Sequence, residues 1–424
     1  MMMKTQSEPL PRDLPHDLRV FGMPADRGRV VFLFLGVLSM LCMGTVYSWS
    51  IFRKPLQDLH GIQSTASLLP FTVMLVMYAG CMPFAGARMN RLGPGRMMAL
   101  GALLVGAGYV LSGFATSTPA LVLSYGVLGG AGVGIAYGAP LAVSAAWFPD
   151  KKGLAMGLTM VGFGLSPLVT APLAKFLMDR LGVQQTFWTL GATFLCVLLA
   201  VSSRMRYPPA AWSPAKMADI ATAGSALGRY PQNLLRTPVF HVLCACYTIG
   251  TFVGLSVIGI SSSVAQEVVR LPPETAALLV SLFAVFNGLG RPLFGWIADH
   301  RSPRFAALLS FVLILSASTV MMTVGEGNVV RYAMSFCVFW MCLGGWLALA
   351  PTATLKLFDP ARYAGNYGLV FTAYGVGALS GTLATGVIRD WTGSYSMVFV
   401  PTAVLAVVGL FLAGFFLKPG EGQG

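Results

Sequence analysis

The chain has 424 residues, of which 56% are hydrophobic and only 10% charged, and its mean hydropathy is +0.72. A soluble domain carries roughly 25% charged residues, so a water-soluble globule is excluded and the apolar excess is expected to face lipid. The net charge of +13 does not mark a nucleic-acid binder, because the basic residues neither cluster on one face nor interleave with aromatics.

Residues 1–29 read as a polar tail without the apolar core of a cleavable signal. A helix needs about 20 mostly apolar residues to cross roughly 30 Å of hydrocarbon. On that measure the sequence predicts twelve spans, at 30–52, 66–88, 97–115, 120–147, 153–178, 186–203, 238–262, 274–298, 305–323, 328–352, 363–388 and 394–417. One long polar segment, 204–237, separates a six-helix half at 30–203 from a second at 238–417, and 418–424 form a short tail. The expected fold class is an all-α polytopic membrane protein of twelve transmembrane helices in two pseudo-symmetric halves.

Cytoplasmic loops hold the excess of Lys and Arg. With the N-terminus inside, 20 of the 28 basic residues fall on the cytoplasmic side and seven, Arg53 among them, on the outer side. Both termini are therefore expected in the cytoplasm of a cell with this protein in its plasma (inner) membrane. The remaining basic residue is Arg291. All fifteen acidic residues fall in tails, loops or span ends, so Arg291 reads as the only charge within a span.

Candidate residues follow along the chain. The first span holds Tyr47, and the fourth holds Tyr137 beyond a glycine run at Gly129–Gly134. No strand precedes that run, so it fails as a dinucleotide loop and is expected to let helices approach closely, as are Gly375, Gly377 and Gly381. Tyr247 lies in the seventh span and Trp340 in the tenth, while Tyr125 and Tyr332, nearer span ends, read as interfacial belt residues. All seven cysteines lie in apolar runs and read as small buried hydrophobes rather than disulfide or metal ligands.

Arg291 carries the chemistry. An arginine at a membrane helix centre costs about 2.5–3.5 kcal/mol on insertion scales and commonly marks a bundle interior or pathway. With no carboxylate within a span to pair with, it reads as an anion site whose planar fork matches a carboxylate. Asn287 lies at i−4, on the same face, positioned to hold the guanidinium or bind a second polar group. Phe283, Ala284 and Phe294 continue that face as an apolar wall.

The turns after the second and eighth spans, GARMNRLGPGR and GWIADHRSPR, share a Gly, three residues, an Asn or Asp, and then basic residues. They resemble the signature loop of the major facilitator superfamily, which twelve spans in two halves also fit. TVYSWSIF, AAWFPDKKGLAMG and GNYGLVFTAYG resemble the oxalate/formate exchanger branch. The N-x-x-x-R-P at Asn287–Pro292 resembles the eighth helix of monocarboxylate transporters, and the chain as a whole resembles a bacterial monocarboxylate (lactate) transporter. The resemblance implies gating by charge pairs between halves, placing Asp299, Arg301, Arg304 and Arg91 as gate residues, although Asn90 departs from the acid usual at its position. It also implies that dianion exchangers carry a lysine in the eleventh helix where this chain has Tyr374, next to Phe371 in FTAYG. A second carboxylate would then be desolvated without a counter-charge, so a monoanion is expected, with Tyr374 offering a hydroxyl. Many monocarboxylate transporters place an Asp where this chain has Asn287, which cannot carry a proton.

The sequence thus predicts a secondary transporter of a small monocarboxylate such as L-lactate, working as a monomer by alternating access and proton symport. Obligate carboxylate exchange is the alternative, and efflux of a hydrophobic compound a third. Arg291, Asn287, Tyr374, Tyr47, Tyr137, Phe371, Tyr247 and Trp340 are the candidate substrate-binding residues. No Walker motif, catalytic triad or metal-ligand cluster is apparent, so neither an enzyme nor a cofactor is expected. A sensor on the same scaffold is disfavoured by the short KPGEGQG tail.

Overall fold

The structure is a computed structural model that describes residues 18–149, 152–209, 234–358, 363–415 and 417. The first seventeen residues, most of the polar central segment, Lys151, Arg362, Lys418 and the side chain of Asn90 lie outside the described residues. Among the described residues, twelve helices are long and apolar enough to span a bilayer: α1 Ala25–Leu59, α2 Ser64–Met89, α3 Pro94–Ser112, α4 Thr118–Trp147, α5 Ala155–Leu181, α6 Val183–Ser202, α7 Pro238–Glu267, α8 Pro273–His300, α9 Pro303–Met321, α10 Val329–Leu357, α11 Asn366–Thr392 and α12 Ser396–Phe415. Each corresponds to one expected span.

The largest departure is α1, expected at 30–52 and observed at Ala25–Leu59. A two-residue hairpin, Arg19–Val20 against Met23–Pro24, delivers the chain to Ala25. Asp26 then sits in the first turn, where the helix dipole favours a carboxylate. Polar residues there conceal the helix from a hydropathy reading. At the other end the helix tightens to a 3-10 stretch over Gly44–Ser48 and resumes at Trp49. It then runs through Arg53, which is fully buried rather than in an outer loop. Arg291 is therefore not the only charge buried within a span.

Phe34, Leu123, Leu278, Val330 and Phe411 expose their side chains, as lipid-facing residues do. Enclosure varies with position: 78% of the apolar window of α7 is buried against 39% for α12, so α7 lies centrally and α12 at the periphery. The two six-helix halves meet where α2 packs on α11, α5 on α8 and the end of α1 on α7.

Call the end of the bundle where α1 begins the near end, and the opposite end the far end. At the far end the halves are held together by polar contacts. Asp390 at the end of α11 accepts from the backbone N–H groups of Ser64 and Thr65, both at 3.0 Å. It thereby satisfies first-turn donors of α2, which have no partner within their own helix. Lys175 of α5 pairs with Glu274 of α8 at 3.3 Å.

The glycine run of α4 has the packing role expected of it. A Cβ on Gly130 would lie 2.5 Å from the Met74 carbonyl oxygen, and one on Gly134 would lie 2.6 Å from that of Tyr78. Neither Tyr125 nor Tyr332 is a belt residue. Tyr125 is buried against Trp49 with ring centroids 4.4 Å apart. Tyr332 is buried too, and its hydroxyl donates to the Ser261 carbonyl at 2.6 Å. Depth along a span says nothing of the direction a side chain takes around it. Of the cysteines, Cys196 is exposed rather than buried, an apolar thiol on the lipid face.

Candidate functional site

Asn287 and Arg291 stand one turn apart on α8, at 0% and 3% exposure. Their setting is built by two neighbours. From α10, the Trp340 carbonyl accepts from Asn287 Nδ2 at 2.9 Å, which orients the amide so that its Oδ1 faces the guanidinium. Arg291 Nη2 donates to that oxygen at 3.4 Å, a long contact. From α5, the Met160 carbonyl accepts from Arg291 Nη1 at 2.6 Å. Arg291 Nε has no hydrogen-bond partner.

Gly164 of α5 makes this approach possible. A Cβ there would fall 2.7 Å from Asn287 Oδ1 and 3.2 Å from Arg291 Nε. Gly164→Ala should therefore displace the Asn287 amide without unfolding the bundle. A lost hydrogen bond to a charged group is worth about 1.5–3 kcal/mol, so carboxylate uptake is expected to fall about tenfold or more. Initial uptake rates at matched folded protein would check this, and an unchanged rate would remove Asn287 from the site.

Arg291 is thus a buried guanidinium with two acceptors, both neutral, and no carboxylate beside it among the described residues. Such a cation is under-bonded. A buried charge without a counter-charge is costly, and an anion with two coplanar oxygens suits its free donors.

Aromatic side chains from both halves surround this point. The Tyr47 and Tyr374 hydroxyls meet at 3.3 Å, and Tyr374 stacks on Phe371 at 5.0 Å between centroids. Tyr247 reaches Phe371 at 6.4 Å, and Tyr47 meets Trp340 edge-on at 6.4 Å. Tyr137 joins through Phe163, whose ring lies 5.5 Å from Tyr137 and 5.1 Å from Tyr47. Trp340 Nε1 is committed to Ser261 Oγ of α7 at 3.1 Å. The structure therefore brings all eight expected residues into one connected set. Four others join them unforeseen: Met160, Phe163, Gly164 and Tyr78, the last 5.2 Å from Tyr137 and 5.8 Å from Tyr374. Tyr78, a polar aromatic in mid-span, carried a readable signal. Met160 acts through its backbone and carried none.

The expected gate residues behave differently. Asp299 pairs with Lys356 at 3.1 Å, within the second half. Arg304 donates to the Gly414 carbonyl, again within that half. Arg91 and Arg301 are exposed. Among the described residues these four thus form no charge pair between halves, and the polar contacts that join the halves lie instead at mid-depth and at the far end.

Two six-helix halves packed in this way have a counterpart in known proteins. The family model of the Major Facilitator Superfamily matches residues 30–354 and 243–423. The chain belongs to that superfamily. Among curated members, it is similar to the oxalate:formate antiporter of Oxalobacter formigenes, at 29% identity over 92% of this chain and 91% of that one. It is also similar to monocarboxylate transporter 13 of Rattus norvegicus, at 26% identity over 80% and 74%. A bacterial homologue of the human lysosomal transporter Spinster shares the superfamily fold, with a TM-score of 0.70 at 15% identity over 92% of this chain and 97% of that one.

Proposed function

We propose that this superfamily member is a secondary transporter of a small monocarboxylate such as L-lactate, coupled to protons, with Arg291 as the residue that binds the carboxylate. The observation that carries the reading is the under-bonded Arg291 at the seam of the halves. Among the twelve residues of this set Arg291 is the sole cation, which favours one carboxylate over two. Tyr47 and Tyr374 supply hydroxyls for a hydroxy acid, and Phe371, Tyr247 and Trp340 supply an apolar wall. The near end, which carries most of the Lys and Arg, is the cytoplasmic end, so both termini lie in the cytoplasm.

Alternating access requires the far-end contacts to break and re-form around a bound substrate. A bare buried cation resists that motion, and a bound carboxylate neutralises it. Obligate exchange is the second reading, favoured by similarity to an antiporter along nearly the whole chain.

Uptake of labelled L-lactate into proteoliposomes free of internal anion separates the two. Accumulation that follows an inward proton gradient is expected. Uptake that appears only after preloading with another carboxylate would replace symport with exchange. Uptake that is absent under both conditions would remove lactate as substrate.

A further inference from the structure

Arg53 is the second buried guanidinium, and its bonding is the reverse of Arg291's. At 0% exposure it makes seven hydrogen bonds, all to neutral acceptors. Four go to its own half: Nε and Nη2 to Ser67 Oγ at 3.1 and 3.0 Å, and Nη2 to the Ser64 carbonyl and Oγ at 3.3 and 2.8 Å. Three cross to the other half. Nη1 donates to the Gly259 carbonyl at 3.3 Å and to Ser263 Oγ at 3.1 Å, and Nη2 donates to the Tyr395 hydroxyl at 3.0 Å.

The division is geometric as well as numerical. Partners in the same half hold Nε and Nη2. Partners in the other half take Nη1, and Tyr395 shares Nη2 with Ser64, whose Oγ lies 2.9 Å from the Tyr395 hydroxyl. Above them lies an open far-end cavity of about 720 Å³, whose lining includes Ser64 and Tyr395, the cations Lys54, Arg270 and Arg389, and the carboxylates Asp58, Glu267 and Asp390.

We propose that Arg53 is a second carboxylate-binding site, distinct from Arg291, which is uncovered when the far ends of the halves part. Opening removes the three cross-half bonds and leaves the guanidinium fixed by Ser64 and Ser67. The two N–H groups of Nη1 are then free to receive a carboxylate beside the cavity, with Nη2 still held by Ser64 and Ser67. An anion there replaces the neutral acceptors lost on opening, so substrate capture and outward opening favour each other. Closure returns the edge to Gly259, Ser263 and Tyr395 and releases the anion inward. The inference rests on the reading of the chain as a carrier of carboxylates.

The test removes Arg291 so that the outer site is read alone. Purified Arg291→Gln protein, titrated with L-lactate, formate and oxalate, is expected to bind carboxylate about 10–100-fold more weakly than wild type. Adding Arg53→Gln should abolish that residual binding, and Arg53→Lys should leave an intermediate value. Adding Tyr395→Phe, which removes a closed-state partner and keeps the cation, should tighten it at least twofold. No residual binding in Arg291→Gln protein, or residual binding indifferent to both Arg53 variants, overturns the proposal. If wild type carries no carboxylate, the proposed function fails; residual binding lost only with Arg53 would still establish the outer site. If wild type carries carboxylate and the Arg53 variants change nothing, the outer site alone fails.

Discussion

Arg291→Ala is expected to lower carboxylate uptake, as Vmax/KM, by roughly 100- to 1000-fold. Truncating one partner of a buried, hydrogen-bonded charge pair costs about 2–5 kcal/mol, and each 1.4 kcal/mol is a factor of ten. The loss should not reflect poor folding. Removing an arginine from mid-span relieves an insertion cost of about 2.5–3.5 kcal/mol, and the Met160 carbonyl that it frees remains an acceptor within α5. Arg291→Lys keeps the charge but replaces the planar fork with a point charge, so a loss of at least tenfold is expected from geometry alone. Uptake assays in proteoliposomes, with folded protein quantified by size-exclusion chromatography, would measure both. Retention of more than a third of wild-type uptake by Arg291→Ala would point to a broad apolar pathway and a hydrophobic cargo.

Much of this arrangement was legible in the sequence because the bilayer imposes simple rules. Backbone groups in hydrocarbon must be satisfied within a helix, so apolar length alone located twelve spans. Arg291 stood out as a charge where charges are expensive, and the i−4 relation placed Asn287 on its face. Arg53 escaped for an instructive reason. Its neighbour Lys54 and the following Pro55 make the stretch look like a loop, while the groups that satisfy it are hydroxyls and carbonyls from α2, α7 and Tyr395, just before α12. Those partners are up to 342 residues away in the chain, and no local pattern announces them. Asp299 shows a different limit of the sequence. Its charge is conspicuous, but the sequence does not announce its pairing with Lys356 of the same half at 3.1 Å. Gly164 and Met160 act through the absence of a side chain and through a backbone carbonyl, which only the packing of α5 on α8 makes visible.

Tyr374→Lys is expected to exchange one substrate class for another. In the wild-type protein an oxalate dianion at Arg291 would leave its second carboxylate desolvated and unpaired, at an effective cost of several kcal/mol, so oxalate should compete with lactate at least 100-fold more weakly than lactate itself. A lysine at position 374 occupies a fully buried site beside Tyr47, whose hydroxyl lies 3.3 Å from that of Tyr374. Its ammonium would supply the missing counter-charge and take Tyr47 as a second acceptor. The empty carrier would then hold two unpaired cations, which a single lactate cannot neutralise, so lactate uptake should fall at least tenfold as oxalate binding rises. Tyr374→Phe separates charge from shape: it removes only a hydroxyl, worth about 0.5–1.5 kcal/mol, so lactate affinity should weaken two- to tenfold with no gain of oxalate. Competition of unlabelled oxalate against labelled lactate in the three proteins reads all of this. Oxalate that competes equally well in wild type and Tyr374→Lys would mean that charge count at this seam does not select the substrate. The second counter-charge would then have to come from elsewhere, and Arg53, the other buried cation between the halves, would be the residue to examine next.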